Sequence, residues 1–551
     1  MARRLITLPE TATGISPPIE GRWLPYSDGG LILHDLATDS LRSLTDRSAG
    51  HVIDSRASRG ERQIAYARYS PDWSRLELRV VGVDGTADRR LYSVDVPENG
   101  PWISIDDWSP DGAHLLVRLR DVNWSWQLAL LSTSDGSVRV LKSLGWRSPA
   151  HARFSPDGRY IAYDFAPEEE SAKRDILLLA VDGSRETEVT STAVHERLMG
   201  WAPDGGALFF VREERGSRSI WQVPVADGRR RGSERLVRPD VWSMRPIGFS
   251  GDRFFYEVRD QTADVYSAGL ELESGGALGS PTRLFQAPGW FATAYSPDGG
   301  HMAYFLGGPD DGVAPISIFI RSVATGIERE LEVPISYVWS MRWAPDGEAL
   351  LVLAQNRGRN EAYRVDLQSR AATPLGYEGA VTAPIRSADG RTDYYGKRGR
   401  AIIPTLVARS VESGEERVLY ADSAMSLFAE LSPDEKNLLT TRTRTDGTEI
   451  LLVPTAGGQP TSLIRGAPGD SLAVAGWATD GRHILFTRVD AGERSLWRLS
   501  TSGGRPEPLP LRGRELRRIT YHPVSSRVSY AVFQPKIREV WVLEGLPPSE
   551  P

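Results

Sequence analysis

One turn, written over and over, limits what this chain can become. Ser155-Pro156-Asp157-Gly158 combines a proline that presets φ, an aspartate that bonds nearby backbone and a glycine that accepts positive φ. It predicts a tight reversal between two strands. Downstream, Tyr160, Ala162 and Asp164 fall on one face of a strand and Ile161, Tyr163 and Phe165 on the other. The turn recurs as Ser109 to Gly112, Ala202 to Gly205, Ser296 to Gly299 and Ala344 to Gly347, with degraded copies around Asp252, Asp389, Asp434, Asp480 and Pro523. From Asp111 to Asp480 successive turn aspartates lie 43 to 48 residues apart. A repeat of that length is one four-stranded blade of a propeller.

Two further copies lie upstream. Gln63-Ile64-Ala65-Tyr66 matches Tyr160-Ile161-Ala162-Tyr163, and Gly21-Arg22-Trp23 aligns with Gly158-Arg159-Tyr160, which makes twelve. The last copy supplies three strands (518–521, 528–533 and 539–543) and stops, while residues 4–8 and 282–286 precede their first turns as orphan outer strands. The expected fold is therefore all-β: two six-bladed β-propellers in tandem, with four-stranded antiparallel blades. Each ring is closed by its own N-terminal strand, so no sheet edge is left open. The expected domains are 1–278 and 279–551, divided in a Gly-rich stretch at 274–280.

Composition excludes several classes. With no cysteine there are no disulfides or thiolate metal sites, and a net charge of −6 gives no general attraction for nucleic acid. No window is long and apolar enough for a membrane span, and the N-terminal apolar run is too short for a secretory signal. The address read from these residues is cytoplasmic, or periplasmic or otherwise extracytoplasmic if the chain is a piece of a longer protein.

An aromatic precedes most turns (Trp108, Phe154, Trp201, Phe249, Tyr295, Trp343, Trp477, Tyr521), a phase that predicts packing between neighbouring blades. The turn aspartates are expected to shape turns rather than to form a carboxylate series. There is no Gly-x-Ser-x-Gly elbow. The eight histidines are dispersed, so neither a catalytic set, a metal site nor a cofactor is expected.

What remains is a surface. In a four-stranded meander the second-to-third loops and the blade crossings share one face, and here they are the longer and less regular set. The expected partner-binding residues on it are Trp73, Trp124 and Trp126 in loops, Trp146 and Trp242 at crossings, and Trp290 at the entry to the second ring. Arg357, Arg359, Lys397, Arg398 and Arg400 make two adjacent loops of the second ring basic. The bland alternative for the tryptophans is a cover over the channel mouth or the domain junction. For the basic residues it is solvated loop charge.

The Trp-Ser/Ala-Pro-Asp-Gly units at 108–112, 201–205 and 343–347 resemble the WD-repeat-like propeller repeats of the TolB type. That resemblance implies the propeller fold and a choice of roles: a scaffold for partners in the bacterial envelope, a sensory end of a multidomain signalling protein, or a gate to a peptidase. It brings no catalytic residues. The reading is a non-enzymatic scaffold or sensor that binds a protein or peptide. The alternatives are a propeller lyase acting on a small or oligosaccharide substrate, or a gating propeller separated from its peptidase.

Overall fold

In the computed structural model the described residues are 2–548, except 61, 97–101, 122–124, 146, 148, 150, 167–172, 193, 215–216, 242–243, 261, 271–279, 289–290, 307–316, 332, 334, 336, 357–358, 399–402, 468, 491 and 535–536. They are all-β, with one 3-10 turn at Arg47–Ala49 and no α-helix among them. The chain divides into two compact units, 1–260 with 536–551, and 261–535.

In the first unit, successive stretches of chain fold into antiparallel sheets, each ordered outward along the sequence. The first sheet is Trp23–Asp28, Gly30–Asp35 and Ser40–Ser43. The second is His51–Ala57, Gln63–Tyr69, Arg75–Gly82 and Arg89–Asp95, and the third Trp102–Trp108, His114–Arg120, Trp126–Ser132 and Val138–Gly145. The fourth is Ala152–Phe154, Tyr160–Phe165, Asp175–Ala180 and Glu186–Glu188, and the fifth starts with His195–Trp201 and Ala207–Glu214. The sixth has a different origin. Met244–Ser250 and Arg253–Asp260 are joined by Ile537–Leu543 from the far end of the chain, and Ala2–Thr7 adds the outer strand.

Packing explains why a strand such as Tyr160–Phe165 is buried along its whole length. Its two faces enter two different cores: Tyr160 and Ala162 pack with the fifth sheet, Ile161, Tyr163 and Phe165 with the third. Such cores follow one another through the unit, and the last, which joins Ile247, Phe255, Val540 and Val542 to Leu24 and Tyr26, returns from the sixth sheet to the first. The second unit repeats the scheme. Phe291 in its first sheet shares a core with Val265 and Ala531 of its last.

The expected aromatic role holds. The indole N–H of Trp108 donates to the Arg56 carbonyl, that of Trp201 to Arg153, Trp343 to Ala294 and Trp477 to Glu430, each reaching the first strand of the preceding sheet at 2.8–3.2 Å. The turn aspartates also behave as turn formers. Ser109 Oγ donates to Asp111 and accepts from the His114 amide, while the Ala113 amide donates to the same carboxylate. These donors, the Ser109 hydroxyl first, hold the Asp111 carboxyl below its usual range.

The chain ends differ from expectation. The outer strands expected at 4–8 and 282–286 are present as Ala2–Thr7 and Thr282–Pro288. However, residues 539–543 do not complete the last sheet of the second unit. Its third strand is Thr262–Gly269, paired with Arg527–Phe533. The two third strands are thus exchanged relative to the expected order, and the units divide at 260/261 and 535/536 rather than at 278/279. Ala263 with Val265 and Val540 with Val542 present the same apolar alternation, so ladder pattern alone does not discriminate between them. Specific contacts favour the observed pairing: Arg538, almost fully buried, donates to Glu257 at 2.7 Å, and Arg4 pairs with Glu539 at 2.8 Å.

Candidate functional site

At the loop end of the second and third sheets of the first unit, opposite the short repeated turns, aromatic side chains collect. Trp73 is half exposed and stacks on His51 with ring centroids 4.6 Å apart and planes 17° apart. Tyr69 stands 4.9 Å from Trp73 and 6.0 Å from Trp102. Trp126 lies at the same end of the third sheet, across the ladder from Arg120, whose guanidinium lies 5.7 Å from the indole centroid. Burial lowers the pKa of Arg120, which makes that cation a partly dehydrated neighbour of the rings.

The backbone at Trp73 is the most informative detail. Ser70-Pro71-Asp72-Trp73 is the repeated turn with tryptophan at the glycine position, and it makes the same bonds: Ser70 Oγ donates to Asp72 and accepts from the Arg75 amide. The glycines of the repeated turns have φ near +72°, as at Gly112 and Gly158, and Trp73 takes +60°. For a bulky residue this region costs about 1–2 kcal/mol. An indole is therefore held outward at an energetic cost, a pattern found at ligand-contacting positions. Sequence reasoning placed Trp73 on this face but missed the turn, whose signal was the Ser-Pro-Asp before it.

Of the other expected binding residues, Trp124, Trp146, Trp242, Trp290, Arg357 and Arg400 lie outside the described residues, as do the side chains of Arg359 and Arg398. Lys397 lies in the strand Thr392–Arg398 of the second unit, and its ammonium bonds Glu416 at 2.6 Å. Glu416 also accepts from the Tyr395 hydroxyl at 2.6 Å and from Arg409 at 3.1 Å. Lys397 is thereby tied into its own sheet.

At the turn end of the first unit lies a cavity of about 290 Å³ to which all six of its sheets or their leading turns contribute. In-phase bulges shape it. The ladders skip Asp106, Met199 and Ile247, so that Asp107, Gly200 and Gly248 come to line the space. Arg56, Arg59 and Arg153 also line it. Among the described residues no three His, Asp or Glu side chains converge as a metal-holding group, and no helix is long and apolar enough to cross a membrane.

No family model matches the chain. It is 22% identical over 282 residues to dipeptidyl-peptidase 5 of Porphyromonas gingivalis, a match covering 47% of this chain and 40% of that protein. The chain thus spans well under half the length of this curated relative. It is similar in structure to a protein of Agrobacterium tumefaciens assigned to TolB, with TM-score 0.41, 16% identity, and coverage of 50% of this chain and 99% of that one. It is also similar to the tricorn protease, with TM-score 0.34, 14% identity, and coverage of 93% and 59%. A third likeness is to oligogalacturonate lyase of Vibrio parahaemolyticus, with TM-score 0.34, 14% identity, and coverage of 67% and 94%.

Proposed function

We propose that each unit is a six-bladed propeller and that the chain is a non-enzymatic scaffold or sensor that binds a protein or peptide at the aromatic end of the first unit. The cyclic succession of cores within each unit supports the ring reading. The observation that carries the binding reading is Trp73: half exposed, in a left-handed conformation that a glycine would adopt freely, and stacked on His51 beside Tyr69. Flat, rigid rings next to a cation suit the aromatic and proline side chains of an extended peptide. The test is a fluorescence-anisotropy screen of a defined peptide array against the whole protein and its Trp73→Gly variant. Glycine keeps the turn, so stability should change by no more than about 1 kcal/mol while the best peptides lose at least tenfold in affinity. Equal affinity for both proteins would refute this surface.

The partial match to a dipeptidyl-peptidase favours a second reading, a propeller that gates a peptidase domain. In that case the peptides retained by the array should be the ones a peptidase supplied in the same reaction cleaves, and Trp73→Gly should alter which of them are cut.

A further inference from the structure

The cavity at the turn end of the first unit is lined by two arginines, Arg56 and Arg153, that make no direct ion pair with the carboxylates around them among the described residues. Of the carboxylates beside it, Asp107 accepts from Arg59 at 3.1 Å and from the Phe154 amide at 3.0 Å, and Asp106 accepts from Arg118 at 2.7 Å. Asp54, two residues before Arg56 on the same strand, accepts from the Ile105 amide at 3.0 Å. Arg56 and Arg153 are left with carbonyl oxygens. Arg56 donates to Ile247 at 3.0 Å, and Arg153 donates to Asp106 O and Ala152 O at 2.9 and 2.8 Å. Among the described residues neither guanidinium has a carboxylate within 4.0 Å, and the buried Nε of Arg56 has no acceptor.

Such a pair is costly unless something answers it. Arg153 is 8% exposed, and burial together with the neighbouring Arg56 pulls its pKa down to about 10 against the opposing pull of Asp107 and Asp106. A buried charge left unpaired is among the least favourable arrangements a fold can keep. Apolar side chains complete the lining: Ile19, Phe154, Trp201 and Phe249. A site that combines forked donors with rings matches a carboxylate joined to a small apolar body.

We propose that this cavity binds a small organic anion, with its carboxylate held by Arg56 and Arg153 and its apolar portion against Phe154 and Phe249. The site is separate from the aromatic surface, being at the other end of the same strands, and does not depend on it. It is tested by calorimetry on the whole protein with benzoate and phthalate, and with benzamide and inorganic phosphate as references. Benzamide keeps the ring without the charge, and phosphate the charge without the ring. Both carboxylates should bind at least tenfold more tightly than either reference. Arg56→Gln should weaken them at least tenfold, and Ser250→Trp, which fills the mouth without touching the arginines' charge, should abolish binding. Thermal unfolding of both variants establishes that they are folded. Benzoate and phthalate binding no better than benzamide, or binding unchanged in the folded variants, would overturn the site. Phosphate binding as tightly as benzoate would overturn its assignment to an organic anion.

Discussion

His195 begins the first strand of the fifth sheet, 7% exposed and with neither ring nitrogen bonded among the described residues. Arg197 and Arg174 lie near it, with Asp164 and Glu213 as the opposing carboxylates, and burial above all lowers its pKa to about 4. His151, partly buried and 3.5 Å from Asp164, is lowered to about 4 for the same leading reason. A histidine whose folded pKa is depressed contributes stability that is complete above the unfolded value near 6.5. That stability is lost as pH falls towards 4, because only the unfolded chain takes up the proton readily. Opening of the first unit, followed by hydrogen exchange in Ala207–Glu214, should therefore become easier from pH 6.5 to 4.5. His195→Gln should make that dependence shallower by about 2–3 kcal/mol. An unchanged slope would mean that the imidazole is already protonated in the fold.

Turns in this protein share dihedrals but not surroundings, and the difference is measurable. Gly112, in a repeated turn, and Gly136, between the third and fourth strands of the third sheet, both have φ +72°. A Cβ added at Gly112 meets nothing within 4 Å, whereas at Gly136 it would lie 2.0 Å from the Leu91 carbonyl oxygen, which belongs to backbone and cannot swing aside. Gly112→Ala should cost about 1 kcal/mol, the price of a left-handed alanine, and Gly136→Ala clearly more, read as shifts in the urea midpoint at constant slope. The same contrast marks what sequence could reveal. Asp111, Gly112 and Trp108 were legible because their chemistry is local and recurs in phase. Trp73 was partly legible, since its exposure followed from the loop but its turn was disguised by the loss of glycine. Arg56, Asp107 and Arg153 form one cavity, yet in sequence they are single residues separated by a repeat length or so, and no motif connects them. Only superposing the repeats by phase would have aligned Asp107 with Arg153, each just before its turn aromatic.

At the scale of the whole chain, the two strands that close the units could not be assigned from pattern, because Thr262–Gly269 and Ile537–Leu543 are equally apolar on alternate positions and differ in partners reached hundreds of residues away. The consequence is a one-sided dependence on the far end of the chain. The first unit takes its last internal strand from residues beyond the second, between Arg253–Asp260 on one side and Ala2–Thr7 on the other. Without it Glu257 keeps Arg259 of its own strand but loses Arg538, while Val540's neighbours Phe255 and Leu24 and the outer strand lose their partner. Removing residues 536–551 should leave the sheets of the second unit protected from hydrogen exchange, since every one of their strands falls within 261–535. Protection should collapse in Arg253–Asp260 and Ala2–Thr7, which lose the strand that lies between them together with its buried Arg538. Adding the peptide 536–551 in trans should restore it, and the same peptide carrying Arg538→Ala should restore it poorly. Loss of protection spread evenly over both units would show instead that they unfold as one, and that the returning strand closes more than the sheet it enters.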